Sequence, residues 1–105
     1  MPSRRTNGTG RETTLGAVSM HCAHDYGANL NKYREFISEA ASRGVDLLVF
    51  PEVSLHGYLM GARAVGTPEM AEQLEYFRSV AEPVPGPTTR LLQEYAARHN
   101  NEKSP

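Results

Sequence analysis

Glu52 is the residue of this chain whose type and place best suit chemistry. It follows Pro51 directly, and Pro51 closes the apolar run Leu47, Leu48, Val49 and Phe50. A carboxylate in such a place can take a proton from a reacting group and return it later in the cycle. Ser54, His56, Gly57 and Tyr58 come next, a polar, glycine-containing loop with the composition of a pocket wall. A plainer reading stands beside this one, since an acidic residue after a strand also serves as a solvated loop residue or a helix cap. A second group of chemically able side chains, His21, Cys22, His24 and Asp25, lies earlier in the chain. A thiol beside an imidazole can be activated as a thiolate, and imidazole with thiolate suits zinc, with His56 and Glu52 available to complete a set. Against this, a single cysteine near a strand end is usually a small buried hydrophobe. Residues so close in sequence also rarely supply four ligands, and neither a CxxC nor an HxxxH pattern is present. From the residues alone Glu52 stays a candidate beside its plainer loop reading, with no metal and no cofactor expected. The two lysines, Lys32 and Lys103, are expected away from it, on the side of a helix and in a polar end.

The elements that must position Glu52 follow from the spacing of apolar residues. The run from Leu47 to Phe50 reads as a strand buried on both faces, as in parallel sheets covered by helices. Pro51 lacks an N–H and ends the ladder, which places Glu52 at the carboxyl end of the strand, where open α/β sheets bind ligands. Residues 14–22, with Leu15, Ala17, Val18 and Met20, predict an earlier strand. Between the two, Leu30, Tyr33, Ile37, Ala40 and Ala41 recur at helical spacing, with Asn29 as the expected N-cap and Gly44 as the terminator. Strand, helix and strand make a βαβ unit with parallel strands, so the connection through residues 21–25 is expected beside Glu52. Thr67 and Pro68 then predict a helix with Met70, Leu74, Phe77 and Val80 or Ala81 inward. After the proline-rich connection 82–87, a last helix carries Leu91, Leu92, Tyr95 and Ala96 to about Asn100.

Composition sets the outer limits. With 105 residues, 39% of them hydrophobic, and a net charge of -1, the chain amounts to one small domain or a piece of a larger one. The charge balance points to no nucleic acid. No apolar stretch approaches the ~20 residues that span a bilayer, and the first residues lack the apolar centre of a secretory signal. A lone cysteine allows no internal disulfide, which fits a reducing, cytoplasmic setting. Residues 1–13 are polar and aperiodic and are expected to form a disordered leader, with 101–105 a polar tail.

The strand Asp-Leu-Leu-Val-Phe running into Pro51-Glu52 and then Leu-His-Gly-Tyr resembles the first catalytic segment of the nitrilase superfamily, the carbon-nitrogen hydrolases. Asn29-Leu30, Ala40, Ala41, Gly44 and Asp46 match that family's first helix and the approach to its strand. Pro85-Gly86-Pro87, followed by a helix ending in Ala-Ala-Arg-His-Asn, matches its second segment. The resemblance covers about residues 14–100. It implies an α/β fold, an incomplete N-terminal part of an α-β-β-α sandwich in which the βαβ unit is followed by two helices. It also implies hydrolysis of nonpeptide C–N bonds in small amides, carbamoyl compounds or nitriles by a Glu-Lys-Cys triad, with Glu52 as general base. The triad Lys and Cys lie farther along in family members and have no counterpart here, so the expectation is a truncated hydrolase, inactive alone, whose uncovered sheet edge invites self-association. The alternative is a small noncatalytic α/β module that binds a ligand or a partner chain.

Overall fold

A computed structural model describes residues 2–6, 12–59 and 66–103. The elements run β1 (Pro2–Thr6), β2 (Glu12–Ala17), α1 (Tyr26–Ser42), β3 (Leu47–Val49), α2 (Pro68–Val80) and α3 (Pro87–Lys103). The sheet order is β1-β2-β3. The expected βαβ unit is present: β2 and β3 are parallel, with Leu15 opposite Leu47 and Ala17 opposite Val49. Val18 extends the ladder by donating its N–H to the Val49 carbonyl at 2.9 Å. At the other end Asp46 ties the strands twice, accepting from Thr14 N at 2.9 Å through its carboxylate and donating its own N–H to Thr14 O at 2.8 Å.

Several sequence expectations are corrected by the structure. Within the leader expected over residues 1–13, Pro2–Thr6 forms a strand antiparallel to β2, with Pro2 opposite Gly16 and Thr6 opposite Glu12. A ladder is made by backbone N–H and C=O groups, so a polar sequence can join one without an apolar face of its own. Residues 1 and 7–11 of that leader lie outside the described residues. The first strand starts and ends earlier than 14–22, because pairing with β1 extends the ladder back to Glu12 and the parallel ladder with β3 stops at Ala17 opposite Val49. The last helix runs past the expected end near Asn100, to Lys103.

Helix α1 begins one turn before the expected cap. Asp25 is the N-cap, with extended φ and ψ, and its Oδ1 accepts from Ala28 N at 3.0 Å. Asn29 lies inside the helix and is free for other bonds. The C-terminus ends as expected at Gly44, whose φ of +72° suits a residue without a Cβ. Its N–H reaches Ala41 O and that of Val45 reaches Ala40 O, the two bonds of a Schellman motif, with Val45 and Ala40 both buried.

Thr67 caps α2 through Met70 N at 3.4 Å, followed by Pro68 at the first helical position as expected. Met70 is buried, whereas Leu74 is exposed and does not join an inward face. Helix α3 is held at its start by Glu82, whose two oxygens accept from Thr88 N at 2.7 Å and Thr88 Oγ1 at 2.8 Å. That places an anion at the positive end of the helix dipole. Tyr26 links the starts of α1 and α3 through a hydroxyl bond to Thr88. The two helices meet again where Arg34 donates to the Tyr95 hydroxyl and lies over its ring, 5.5 Å from the centroid.

The strand Leu47–Val49 is not buried on both faces. Leu47 is 56% exposed and Val49 55%, on the face they share with Ala17. The opposite face is packed, and there Gly16 is needed: a Cβ on it would lie 3.1 Å from both Leu48 and Val45 side chains. α1, α3 and β3 flank an open apolar groove of about 610 Å³ lined by residues such as Ile37, Leu48, Phe50 and Leu92. The face carrying Gly16 and Leu48 is thus partly covered beside this groove, and the face carrying Leu47 and Val49 is open, which exposes residues that a doubly covered sheet would bury.

Candidate functional site

The loops leaving β2 and β3 meet at one end of the sheet, as the parallel pairing requires. Their contact is close: His24 Nε2 lies 2.5 Å from Tyr58 O, and a Cβ at Gly57 would fall 2.7 Å from Ala23 O. Gly57 has φ +98°, so its lack of a side chain serves both the backbone conformation and the approach of the two loops.

Glu52 follows the strand end by way of Phe50 and Pro51, and its side chain is exposed. The backbone around it is tightly determined. Val53, the next residue, has φ +47°, a left-handed conformation that a β-branched residue rarely adopts. Ser54 N–H donates to Pro51 O at 3.3 Å and Gly57 N–H to Val53 O at 2.7 Å. Strain of this kind persists only where neighbouring interactions hold it.

Those interactions come from three elements. From α1, Asn29 Nδ2 donates to Leu55 O at 3.0 Å, and the Tyr33 hydroxyl lies 2.6 Å from Ser54 Oγ. Because Ser54 Oγ gives its proton to Pro51 O at 2.6 Å, Tyr33 is the donor of that pair. The Tyr33 ring stacks on Phe50 with centroids 3.8 Å apart and planes at 4°. From α2, the Tyr76 hydroxyl donates to His56 O at 2.6 Å. The β2 exit adds His24, which stacks on Tyr76 at 5.3 Å. Ser54 is 1% exposed and Asn29 0%, so the loop is anchored by buried polar groups with partners. Burial pushes the Tyr33 phenol above its ordinary pKa, with the Ser54 bond opposing and the nearby Cys22 adding to the rise. Tyr76 is also raised, first by burial and then by Asp25 and Cys22.

Of the other expected groups, His56 is half-buried and stacks on Tyr26 at 5.7 Å. Its Nε2 is enclosed with no hydrogen-bond partner among the described residues. Cys22 is a free, half-buried thiol. No group of three or more His, Cys, Asp or Glu among the described residues could hold a metal ion. Lys32 does not project away from the strand ends, since its Nζ donates to His21 O at 2.5 Å and sits at the β2 exit.

Asn29, Tyr33 and Tyr76, which fasten the loop, were not recognisable as site residues from sequence. Two polar groups four residues apart on the apolar face of α1 were the available signal, and the ring of Tyr33 hid it by fitting that face as a hydrophobe. Together these groups fasten a loop that presents one exposed carboxylate at the carboxyl end of the parallel pair β2 and β3.

The carbon-nitrogen hydrolase family matches residues 14–101. The chain is 34% identical over 102 residues to Nitrilase 2 of Arabidopsis thaliana, covering 90% of this chain and 30% of that protein. It is 32% identical over 104 residues to a bifunctional nitrilase/nitrile hydratase of Lupinus angustifolius, covering 94% and 29%. With an aliphatic nitrilase of Sinorhizobium fredii it shares 36% over 78 residues, covering 70% and 25%. No solved structure matches it. The chain spans about 30% of the length of Nitrilase 2. Its match to the family over nearly all of the sequence that forms β2 to α3 shows that the chain belongs to the carbon-nitrogen hydrolases.

Proposed function

We propose that this chain supplies the general-base part of a carbon-nitrogen hydrolase acting on a small nitrile or amide, with Glu52 as the base. The observation that carries the reading is the fastening of the loop around Glu52 by Asn29, Tyr33, Tyr76 and His24. A proton acceptor held in one place needs little reorganisation in the transition state. In the proposed reaction the Glu52 carboxylate takes the proton of a cysteine thiol as the sulfur attacks the substrate carbon. It then gives that proton to the substrate nitrogen, which leaves an amide as ammonia with the acyl group on sulfur, whereas the thioimidate from a nitrile first adds water. A further water cleaves the thioester to the acid and restores the thiol, and a lysine ammonium offsets negative charge on the intermediate. The lysine and cysteine come from polypeptide outside these 105 residues, so the chain alone is inactive. Glu52 is exposed here, and the wall that dries its surroundings comes from the same polypeptide. The open face bearing Ala17, Leu47 and Val49 is where the second sheet of a sandwich packs in this reading.

The test is a family-like downstream portion fused after Asn100. Glu52→Gln in that protein lowers ammonia release from nitriles or amides by ~10²- to 10⁴-fold with the fold intact. An unchanged rate in the folded variant reduces Glu52 to a structural residue. The unfused chain releases no ammonia above a buffer control, and turnover that survives Cys22→Ala means the chemistry is misassigned.

The exposure of Leu47 and Val49 favours a further reading, in which copies of the isolated chain associate through that face and the β3 edge. Size-exclusion chromatography of Leu47→Lys then shows a shift toward monomer, and a wild-type chain that is already monomeric refutes it. No helix among the described residues is long and apolar enough to cross a membrane. The free thiol of Cys22 supports placing the chain in a reducing compartment such as the cytoplasm.

A further inference from the structure

We infer that Asn29 is a positioning residue for Glu52, the side chain that joins the Glu52 loop to the β2 exit and fixes both to α1. The inference rests on the reading of Glu52 as the base. Asn29 is 0% exposed, and its carboxamide uses both kinds of bonding capacity. Oδ1 accepts from Ala23 N at 3.0 Å, while Nδ2 donates to Ala23 O at 2.7 Å and to Leu55 O at 3.0 Å. Both backbone groups of Ala23 are therefore satisfied by one side chain, much as a neighbouring strand would satisfy them. The remaining donor crosses to the loop three residues beyond Glu52.

Few other side chains meet these demands. Asp keeps the acceptor but, when ionised, turns an oxygen toward two carbonyls. Gln adds a methylene to a site with no exposed volume, and a hydroxyl has one proton for two acceptors. Tyr33, one helical turn later, bonds Ser54, the neighbour of Leu55, and Ser54 Oγ carries the link on to Pro51 O on the other side of Glu52. Asn29 and Tyr33 thus hold the segment containing Glu52 at two points from a single helix face, with spacing set by the α-helical repeat.

The experiment uses the labelled 105-residue chain and nuclear magnetic resonance. In the wild type, the Asn29 carboxamide protons exchange slowly, and couplings across the hydrogen bonds are measurable to the carbonyl carbons of Ala23 and Leu55. In Asn29→Asp, the Gly57 amide, which is bonded to Val53 O at 2.7 Å, exchanges at least about tenfold faster relative to the mid-helix amides of α1. Ala40→Gly is the control, because it weakens the same helix away from the loop and raises loop and helix exchange by the same factor. Rapid carboxamide exchange in the wild type overturns the inference. So does an unchanged Gly57-to-helix ratio in Asn29→Asp, or one matched by Ala40→Gly. If Asn29→Asp fails to fold, the wild-type couplings decide alone. In the protein fused downstream after Asn100, folded Asn29→Asp also lowers kcat for ammonia release with KM unchanged, and an unchanged kcat overturns the positioning role. The exchange signals involve no proton transfer, so a failure of the Glu52→Gln rate test leaves them readable.

Discussion

Replacing Ser54 by Ala removes the hydroxyl that bridges α1 and the backbone beside Glu52. Two losses follow: Pro51 O forfeits its bond from Ser54 Oγ, and the Tyr33 hydroxyl is left without an acceptor in a residue only 7% exposed. A net hydrogen bond is worth about 0.5–1.5 kcal/mol and an orphaned buried polar group costs about 1–3 kcal/mol, so Ser54→Ala lowers stability by about 2–3 kcal/mol. Tyr33→Phe is milder, at about 0.5–1.5 kcal/mol, because Ser54 keeps its bond to Pro51 O and the ring keeps its stack on Phe50. In the Tyr33→Phe background no phenol remains to be orphaned, so Ser54→Ala costs only the Pro51 bond. The double variant is therefore more stable than the sum of the single changes implies, with a coupling of about 1 kcal/mol or more. Urea unfolding of the four proteins measures it, with equal m-values as the check that the unfolded states match. Additivity within about 0.5 kcal/mol would show that Tyr33 and Ser54 do not act as a pair and that the fastening of the Glu52 loop through them is wrong.

The raised pKa of Tyr33 has a definite sign: the fold holds the phenol proton more tightly than the unfolded chain, so its stabilising effect is complete below the ordinary value of 10.0 and is lost as pH rises through the folded value. Unfolding free energy therefore falls above pH 10, and Tyr33→Phe flattens that fall; an equal slope in both proteins refutes it, Tyr76 being common to both. Gly57→Ala puts a Cβ 2.7 Å from Ala23 O at φ +98° and lowers stability by about 1–3 kcal/mol from the backbone conformation alone, read by thermal unfolding. Val53→Gly has the opposite character, since Val53 is 54% exposed at φ +47° and gives up little packing; its stability equals or exceeds the wild type in the same assay.

The order of strand, helix and strand, the Thr67-Pro68 helix start, the Gly44 stop and the position of Glu52 beyond β3 were all legible in the sequence. Each depends on residues within a few positions of one another: apolar spacing, a proline without an N–H, a cap, a glycine at positive φ. Tertiary structure decided what depends on distant partners. Asn29 satisfies the cap preference as well as Asp25 does, and only the carbonyls of Ala23 and Leu55, brought within reach by the pairing of β2 and β3, draw it into the helix interior. The pairing of Pro2–Thr6 with β2 is likewise a backbone event that leaves no apolar pattern to read. Leu47 to Phe50 carried the composition of a doubly covered strand, yet composition does not reveal whether both covers are present, and the exposure of Leu47 and Val49 is set by what packs against the sheet.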